Sequence, residues 1–287
     1  MLLYYCFGDD LPDKVLQMIV AAYPRRVISF LPILRRLKHK QSKSQSSQNW
    51  IHRQQKDPYV QKAQKLGLPS RSSFKLQEIN ETHYPALIKK KGISVAGKNK
   101  RLLQPRFNVV DLGASPGGWS LYASTQVKEG IIVAVDLLPL DDTKISLNLP
   151  NNNFEFIQGD FTESKTKLLI IDALEEERAN LVMSDMAQNF LGDSQTDALR
   201  TLNLCEQALV FSAGGSCFDS SYSPKADEGM LAPGGSFLCK FFSCGKENES
   251  DLMQAAKRAF GAVHVIKPKA SRKESAEMFL LAINKRD

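Results

Sequence analysis

The sequence predicts an α/β fold, a mostly parallel seven-stranded sheet with helices on both faces. Three observations carry this. Residues 108–112 are short, β-branched and apolar, as in a strand buried on both faces, and a glycine-rich turn follows (Gly113, Gly117, Gly118) before apolar residues at helical spacing begin at Ser120. Residues 131–136 repeat the pattern and end in Asp136, at about the 20-residue distance where nucleoside-binding folds place an acid toward ribose hydroxyls. Strand-like and helix-like stretches then alternate to the end of the chain. The three glycines remove side chains where a ligand must approach the backbone, and the bare N–H groups of the helix start point over the turn. The turn is not of the G-x-G-x-x-G form, which argues against a dinucleotide.

The chain has 287 residues, 43% hydrophobic and 24% charged, enough for one sizeable α/β domain with an extension. No apolar run reaches the roughly 18 residues of a membrane span. A net charge of +7 and a pI near 9.1 favour a polyanionic partner. The five cysteines (Cys6, Cys205, Cys217, Cys239, Cys244) form no C-x-x-C pair and the four histidines are scattered, so neither a zinc site nor a disulfide framework is expected.

Residues 1–49 stand apart as a basic N-terminal arm. Arg25, Arg26, Arg35, Arg36, Lys38, Lys40 and Lys43 are interleaved with apolar residues, and no acid occurs between Met18 and Asp57. This Arg-rich, Ser-rich and acid-poor composition describes a mitochondrial presequence. A basic arm touching RNA and an upstream extension, with translation starting at Met18, stay open. The domain proper is expected over 50–287. Asp57 and Pro58 read as N-cap and first residue of a helix that stops at Gly67, and a second helix is expected over 70–79. Residues 89–101 read as a basic loop. Residues 153–161 form a third strand ending in an acid at Asp160; a helix over 168–177 follows, then a fourth strand over 179–186 ending in Ser184 and Asp185. Polar residues there stand where open parallel sheets place their chemistry. A helix over 196–213, a polar loop over 214–229 and a turn at 231–235 lead to a fifth strand, 236–242, which carries Lys240 in an otherwise apolar run. A buried lysine is costly unless paired or neutralised. A helix over 251–260, a strand over 263–267 and a last apolar strand after Glu277 complete the chain.

The stretch D-L-G-A-S-P-G-G-W-S at 111–120 resembles the S-adenosylmethionine loop of class I methyltransferases, and most of all that of the FtsJ/RrmJ group of RNA ribose 2'-O-methyltransferases. Four further motifs in order extend the resemblance over about 50–283: R-S-S-F-K-L at 71–76, G-D-F at 159–161, S-D-M-A at 184–187 and S-R-K-E-S-A-E-M-F at 271–279. Gln188 replaces the family's proline and Phe279 its tyrosine. The resemblance implies a Rossmann-like class I fold and S-adenosyl-L-methionine as cofactor. Gly117, Gly118 and Trp119 would shape its methionine and ribose end, Asp136 would hold the ribose hydroxyls, Asp160 the adenine amino group, and Asp185 would lie near the methyl donor. Lys75, Asp185, Lys240 and Glu277 match the family's catalytic tetrad, with Lys240 as general base; Glu274 is the competing acid nearby. A ribose hydroxyl must lose its proton as it attacks, and a neutral lysine is able to take it. No metal is required. The implied partner is structured RNA, large-subunit ribosomal RNA within an assembling subunit, with a uridine as acceptor and a mitochondrial location. A ribosome-assembly factor of the same fold, a tRNA 2'-O-methyltransferase and a small-molecule methyltransferase remain as rival readings.

Overall fold

The computed structural model describes residues 55–93, 95, 100–140, 153–188, 191–219 and 229–287. The arm expected over 1–49 and residues 220–228 of the expected loop lie outside them. Residues Gln55–Asp287 form one compact unit. Among the described residues, no helix is long and apolar enough to cross a membrane, and no cluster of His, Cys, Asp or Glu is placed to hold a metal ion.

Helix α1 (Pro58–Lys65) begins as its residues predict: the Asp57 carboxylate accepts from the N–H of Tyr59 at 3.0 Å and of Val60 at 3.4 Å. The second helix differs from expectation. α2 (Ser73–Glu78) starts three residues later than read and does not stop; a π-helical turn (Ile79–His83) carries it directly into α3 (Tyr84–Lys91). Lys89, Lys90 and Lys91 are therefore the last turn of a helix rather than part of a loop. Burial of Tyr84 and Ile88 draws this stretch onto the core, Pro85 fits a first helical turn, and three cations suit a helix C-terminus.

The sheet comprises β1 (Val109–Leu112), β2 (Ile132–Asp136), β3 (Phe154–Gln158), β4 (Ala179–Ser184), β5 (Leu231–Phe242), β6 (Phe260–Ile266) and β7 (Glu277–Lys285). Their order is β3-β2-β1-β4-β5-β7-β6, parallel except for β7, which runs antiparallel between β5 and β6. The strand order reverses between β1 and β4, which is where an open α/β sheet leaves a crevice at its carboxyl edge. β5 is longer than expected because it absorbs the residues read as a turn at 231–235. Ala179 pairs with Leu231 but Leu181 with Ser236, so the Pro233-Gly234-Gly235 stretch bulges within the strand. The remaining helices are α4 (Gly118–Gln126), α5 (Ser164–Ala173), α6 (Ser194–Ala213) and α7 (Lys246–Ala259). α5 stops short of the predicted 177, with Glu175 and Glu176 at positive φ.

Strand residues alternate between two cores. Val110, Val133, Val182 and Phe237 face one layer with Leu209 and Leu252, while Val109, Ile132, Leu181 and Leu238 face the other with Leu76, Ile79 and Trp119. Lys240, two residues beyond Leu238, thus leaves β5 on the face covered by α2 and α4. The turn after β1 is tightly constrained: Gly113 has φ +73°, and a Cβ there would fall 1.9 Å from Met186 Cγ.

Candidate active site

Four side chains from distant parts of the chain meet at the carboxyl edge of β4. Lys75 comes from α2, Asp185 follows the last residue of β4, Lys240 lies on β5 between β4 and β7, and Glu277 opens β7 opposite Phe242. Lys75 Nζ lies 2.7 Å from Glu277 Oε2 and 3.4 Å from both carboxylate oxygens of Asp185. Lys240 Nζ lies 3.0 Å from Asp185 Oδ1 and also donates to the Asp185 backbone carbonyl. Lys75, Lys240 and Glu277 are each at most 8% exposed. Glu274, the competing acid, is solvent-exposed, so Glu277 is the carboxylate that enters the cluster. The Phe279 ring centroid lies 5.6 Å from Lys75 Nζ, an aromatic face toward a cation.

The clasp that delivers Lys75 is local. Ser73 Oγ donates to the Gly118 carbonyl at 2.8 Å, and Trp119 Nε1 donates to the Ser72 carbonyl at 3.0 Å. A Cβ on Gly118 would fall 2.3 Å from Ser70 Oγ, so only glycine lets residues 70–73 seat against the turn.

The two lysines differ in their surroundings. Burial alone pulls the Lys75 ammonium down, but Asp185 and Glu277 outweigh it and hold the group above its ordinary value. Burial likewise pushes the Asp185 carboxyl up, and Lys240 and Lys75 outweigh that to hold it below the ordinary carboxylate range. Lys75 is therefore a cation and Asp185 an anion at neutral pH. Lys240 has two acceptors, both on Asp185.

Toward the cofactor side, Gly117 takes φ +101° as the residue ahead of α4 and has no side chain to cap it, while the Asp111 carboxylate accepts from the Ser120 N–H in the first turn. Trp119 is 2% exposed, and its ring stacks on Phe279 with centroids 5.9 Å apart. Asp136 ends β2, its Oδ2 accepting from Ser115 N and its Oδ1 from Leu138 N, each at 2.8 Å. Each oxygen keeps acceptor capacity for a hydroxyl. Asp160 Oδ1 accepts from Thr162 N at 2.9 Å and Thr162 Oγ1 at 2.7 Å. A separate cavity of about 440 Å³ between α5 and α6, lined by Phe161, Lys167, Glu206 and Phe211 among others, contains none of the tetrad.

Two residues went unassigned in the sequence. Ser271 Oγ donates to Glu277 Oε1 at 2.6 Å, and Ser120 Oγ donates to Asp111 Oδ2 at 2.6 Å beneath the glycine turn. Both lie inside motifs, but nothing in a motif says which partner a hydroxyl meets. Burial pushes the Asp111 carboxyl up to about 7, with Ser120 opposing and the Asp185 and Asp136 charges adding to the rise. Between about pH 4 and 7 the folded chain then keeps a proton that the unfolded chain has released, so stability falls as pH rises, by up to about 1.4 kcal/mol per unit. Asp111→Asn removes that slope while keeping an acceptor for Ser120. Its melting temperature relative to wild type is expected to rise by about 5 °C between pH 5 and pH 8.

An open α/β sheet with a glycine turn, acids at the ends of β2 and β4, and paired lysines at the switch point defines the class I methyltransferase fold. Comparison with known proteins agrees. The family model described as FtsJ-like methyltransferase matches residues 68–285. The chain is 39% identical over 257 residues to the ribosomal RNA large subunit methyltransferase E of Rickettsia rickettsii, covering 88% of this chain and 94% of that protein. It is 40% identical over 257 residues to the protein of the same name from Rickettsia felis, with the same coverage of 88% and 94%. A crystal structure described as a ribosomal RNA methyltransferase of Plasmodium falciparum aligns with a TM-score of 0.51 and 20% identity, over 76% of this chain and 98% of that one, which shows the shared fold. The chain belongs to the FtsJ-like methyltransferase family.

Proposed function

We propose that this protein transfers a methyl group from S-adenosyl-L-methionine to a ribose 2'-hydroxyl, a uridine's, in large-subunit ribosomal RNA. The observation that carries the proposal is the Lys75–Asp185–Lys240–Glu277 cluster, with its two lysines in different environments, beside the glycine turn. The names of the relatives, large-subunit ribosomal RNA methyltransferases, support the substrate.

The residues present suit the cofactor. The glycine turn ahead of α4 suits its carboxylate, Asp136 the ribose hydroxyls and Asp160 the adenine amino group. When bound it supplies a methyl group on a sulfonium, already activated, so the chain's own work is positioning and proton removal. Lys240, which pairs with Asp185 in the resting site, gives up a proton before the reaction and then, as the general base, takes the proton of the 2'-hydroxyl. Lys75 stays cationic and, with Glu277, orients the hydroxyl and balances the charge that develops on oxygen. Asp185 stays anionic and favours the resulting Lys240 ammonium.

Most of the net charge of +7 lies in residues 1–49, so within the domain phosphate contacts fall to local basic groups such as Lys89, Lys90 and Lys91. We assign the arm at 1–49 as a mitochondrial presequence and 50–287 as the catalytic domain, on the composition of the arm. The test offers the purified protein isolated large-subunit RNA, the assembled large subunit, small-subunit RNA and tRNA, with radiolabelled S-adenosylmethionine. Incorporation confined to the large-subunit samples supports the reading, and incorporation into tRNA alone overturns it. Fluorescent fusions with and without residues 1–49 test the compartment.

A further inference from the structure

We infer that Ser271 is a positioning residue for methyl transfer, its hydroxyl fixing the Glu277 carboxylate against Lys75. The inference rests on the ribose methylation proposed above. Ser271 is 4% exposed, and its Oγ stands 2.6 Å from Glu277 Oε1. The other oxygen, Oε2, stands 2.7 Å from Lys75 Nζ. Both carboxylate oxygens are thereby committed, and the side chain is held from two sides. A second cation in the place of Ser271 would compete with Lys75 for the carboxylate; a hydroxyl donates without a competing charge.

The segment that carries Ser271 is itself tied to the helix that carries Lys75. Glu78, three residues after Lys75, accepts from the N–H of Lys269 at 2.9 Å and of Ala270 at 3.0 Å. Arg71, four residues before Lys75, donates to the Ala270 carbonyl and to the Asp57 carboxylate. Arg272 Nε reaches the same Asp57 carboxylate at 3.1 Å. Ser271 thus sits between two anchored residues, and a closed circuit runs from Lys75 through Glu277, Ser271, Ala270 and Glu78 back to α2. Ser271 holds the Glu277 carboxylate itself, whereas Ser275 Oγ accepts only from the Glu277 main-chain N–H, at 3.2 Å.

The experiment compares Ser271→Ala and Ser271→Thr in the full-length protein, alone and in a Glu277→Ala background. Losing one hydrogen bond to a buried carboxylate is expected to lower kcat about tenfold, with KM for RNA within about twofold of wild type. Ser271→Thr, which keeps the hydroxyl, restores most of the rate. In the Glu277→Ala background Ser271→Ala changes nothing further, since Ser271 acts only through Glu277. A kcat within about twofold of wild type, a Ser271→Thr variant as slow as Ser271→Ala, or the full loss repeated without Glu277 overturns the inference. A second readout does not depend on turnover. The Lys75 13Cε resonance is expected to titrate at lower pH in Ser271→Ala, because a freed Glu277 no longer faces the ammonium, and an unchanged midpoint overturns the inference. Should the wild-type protein methylate no RNA, the proposed reaction fails on that control, while the Lys75 titration still decides the role of Ser271.

Discussion

Lys240→Arg is expected to lower kcat by about 1,000-fold, whereas Lys75→Arg is expected to retain roughly a tenth of the wild-type rate. Both substitutions preserve a positive charge and a long side chain. They differ in what each lysine does. A guanidinium does not deprotonate near neutral pH, so it is unable to accept a proton from a hydroxyl. In the proposed reaction Lys240, paired with Asp185, is the residue for which that matters. Lys75 is held cationic by Asp185 and Glu277, so a permanent cation reproduces most of its role at some cost in geometry. Single-turnover methylation with saturating S-adenosylmethionine reads the chemical step directly. Calorimetric titration with the cofactor checks that Lys240→Arg still binds it. Equal losses in the two variants would contradict the division of labour.

Asp185→Asn is expected to cost both activity and stability. The carboxylate pairs with two buried ammonium groups, at 3.4 Å and 3.0 Å. Removing its charge leaves Lys75 with Glu277 alone and Lys240 with an amide and a carbonyl. Breaking a buried pair in this way typically destabilises by about 3–5 kcal/mol, because the remaining charge is unpaired. The pH dependence follows from the two shifts. Asp185 is held below its ordinary value, so its contribution is present above about pH 4 and is lost as pH falls through its folded value. Lys75 is held above its ordinary value, so its contribution is present below about pH 10 and is lost as pH rises through its folded value. Asp185→Asn should therefore lose stability most between these limits and approach wild type in acid. Urea unfolding at pH 2, 4 and 7 measures this; a uniform loss across all three would place the effect in packing rather than charge.

The strands, the glycine turn and the four residues that the fold brings together, Lys75, Asp185, Lys240 and Glu277, were legible in the sequence because each lies in a short, locally determined pattern. Glu277 was separable from Glu274 by spacing alone, and burial of one and exposure of the other agree with it. Features set by distant contacts were not legible. The run of Lys89, Lys90 and Lys91 reads as loop, yet Tyr84 and Ile88 behind it fold it into a helix against the core. Pro233-Gly234-Gly235 reads as a turn, yet β4 recruits it as a bulge within β5. The motif places Trp119 beside the glycine turn, and only the fold shows its ring against Phe279 and the Ser72 carbonyl. The hydroxyls of Ser120 and Ser271 point at carboxylates nine and six residues away, and only the folded chain shows which ones.

The account stands on two lysines and two carboxylates acting together on a sugar oxygen, and the product tests this most directly. Large-subunit RNA treated with the protein and S-adenosylmethionine is digested to nucleosides and examined by mass spectrometry, alongside RNA treated with Lys240→Arg. The account predicts a nucleoside whose added methyl group fragments with the ribose, present with wild type and nearly absent with the variant. A methyl group that fragments with the base, or a ribose-methylated product formed equally by Lys240→Arg, would contradict it.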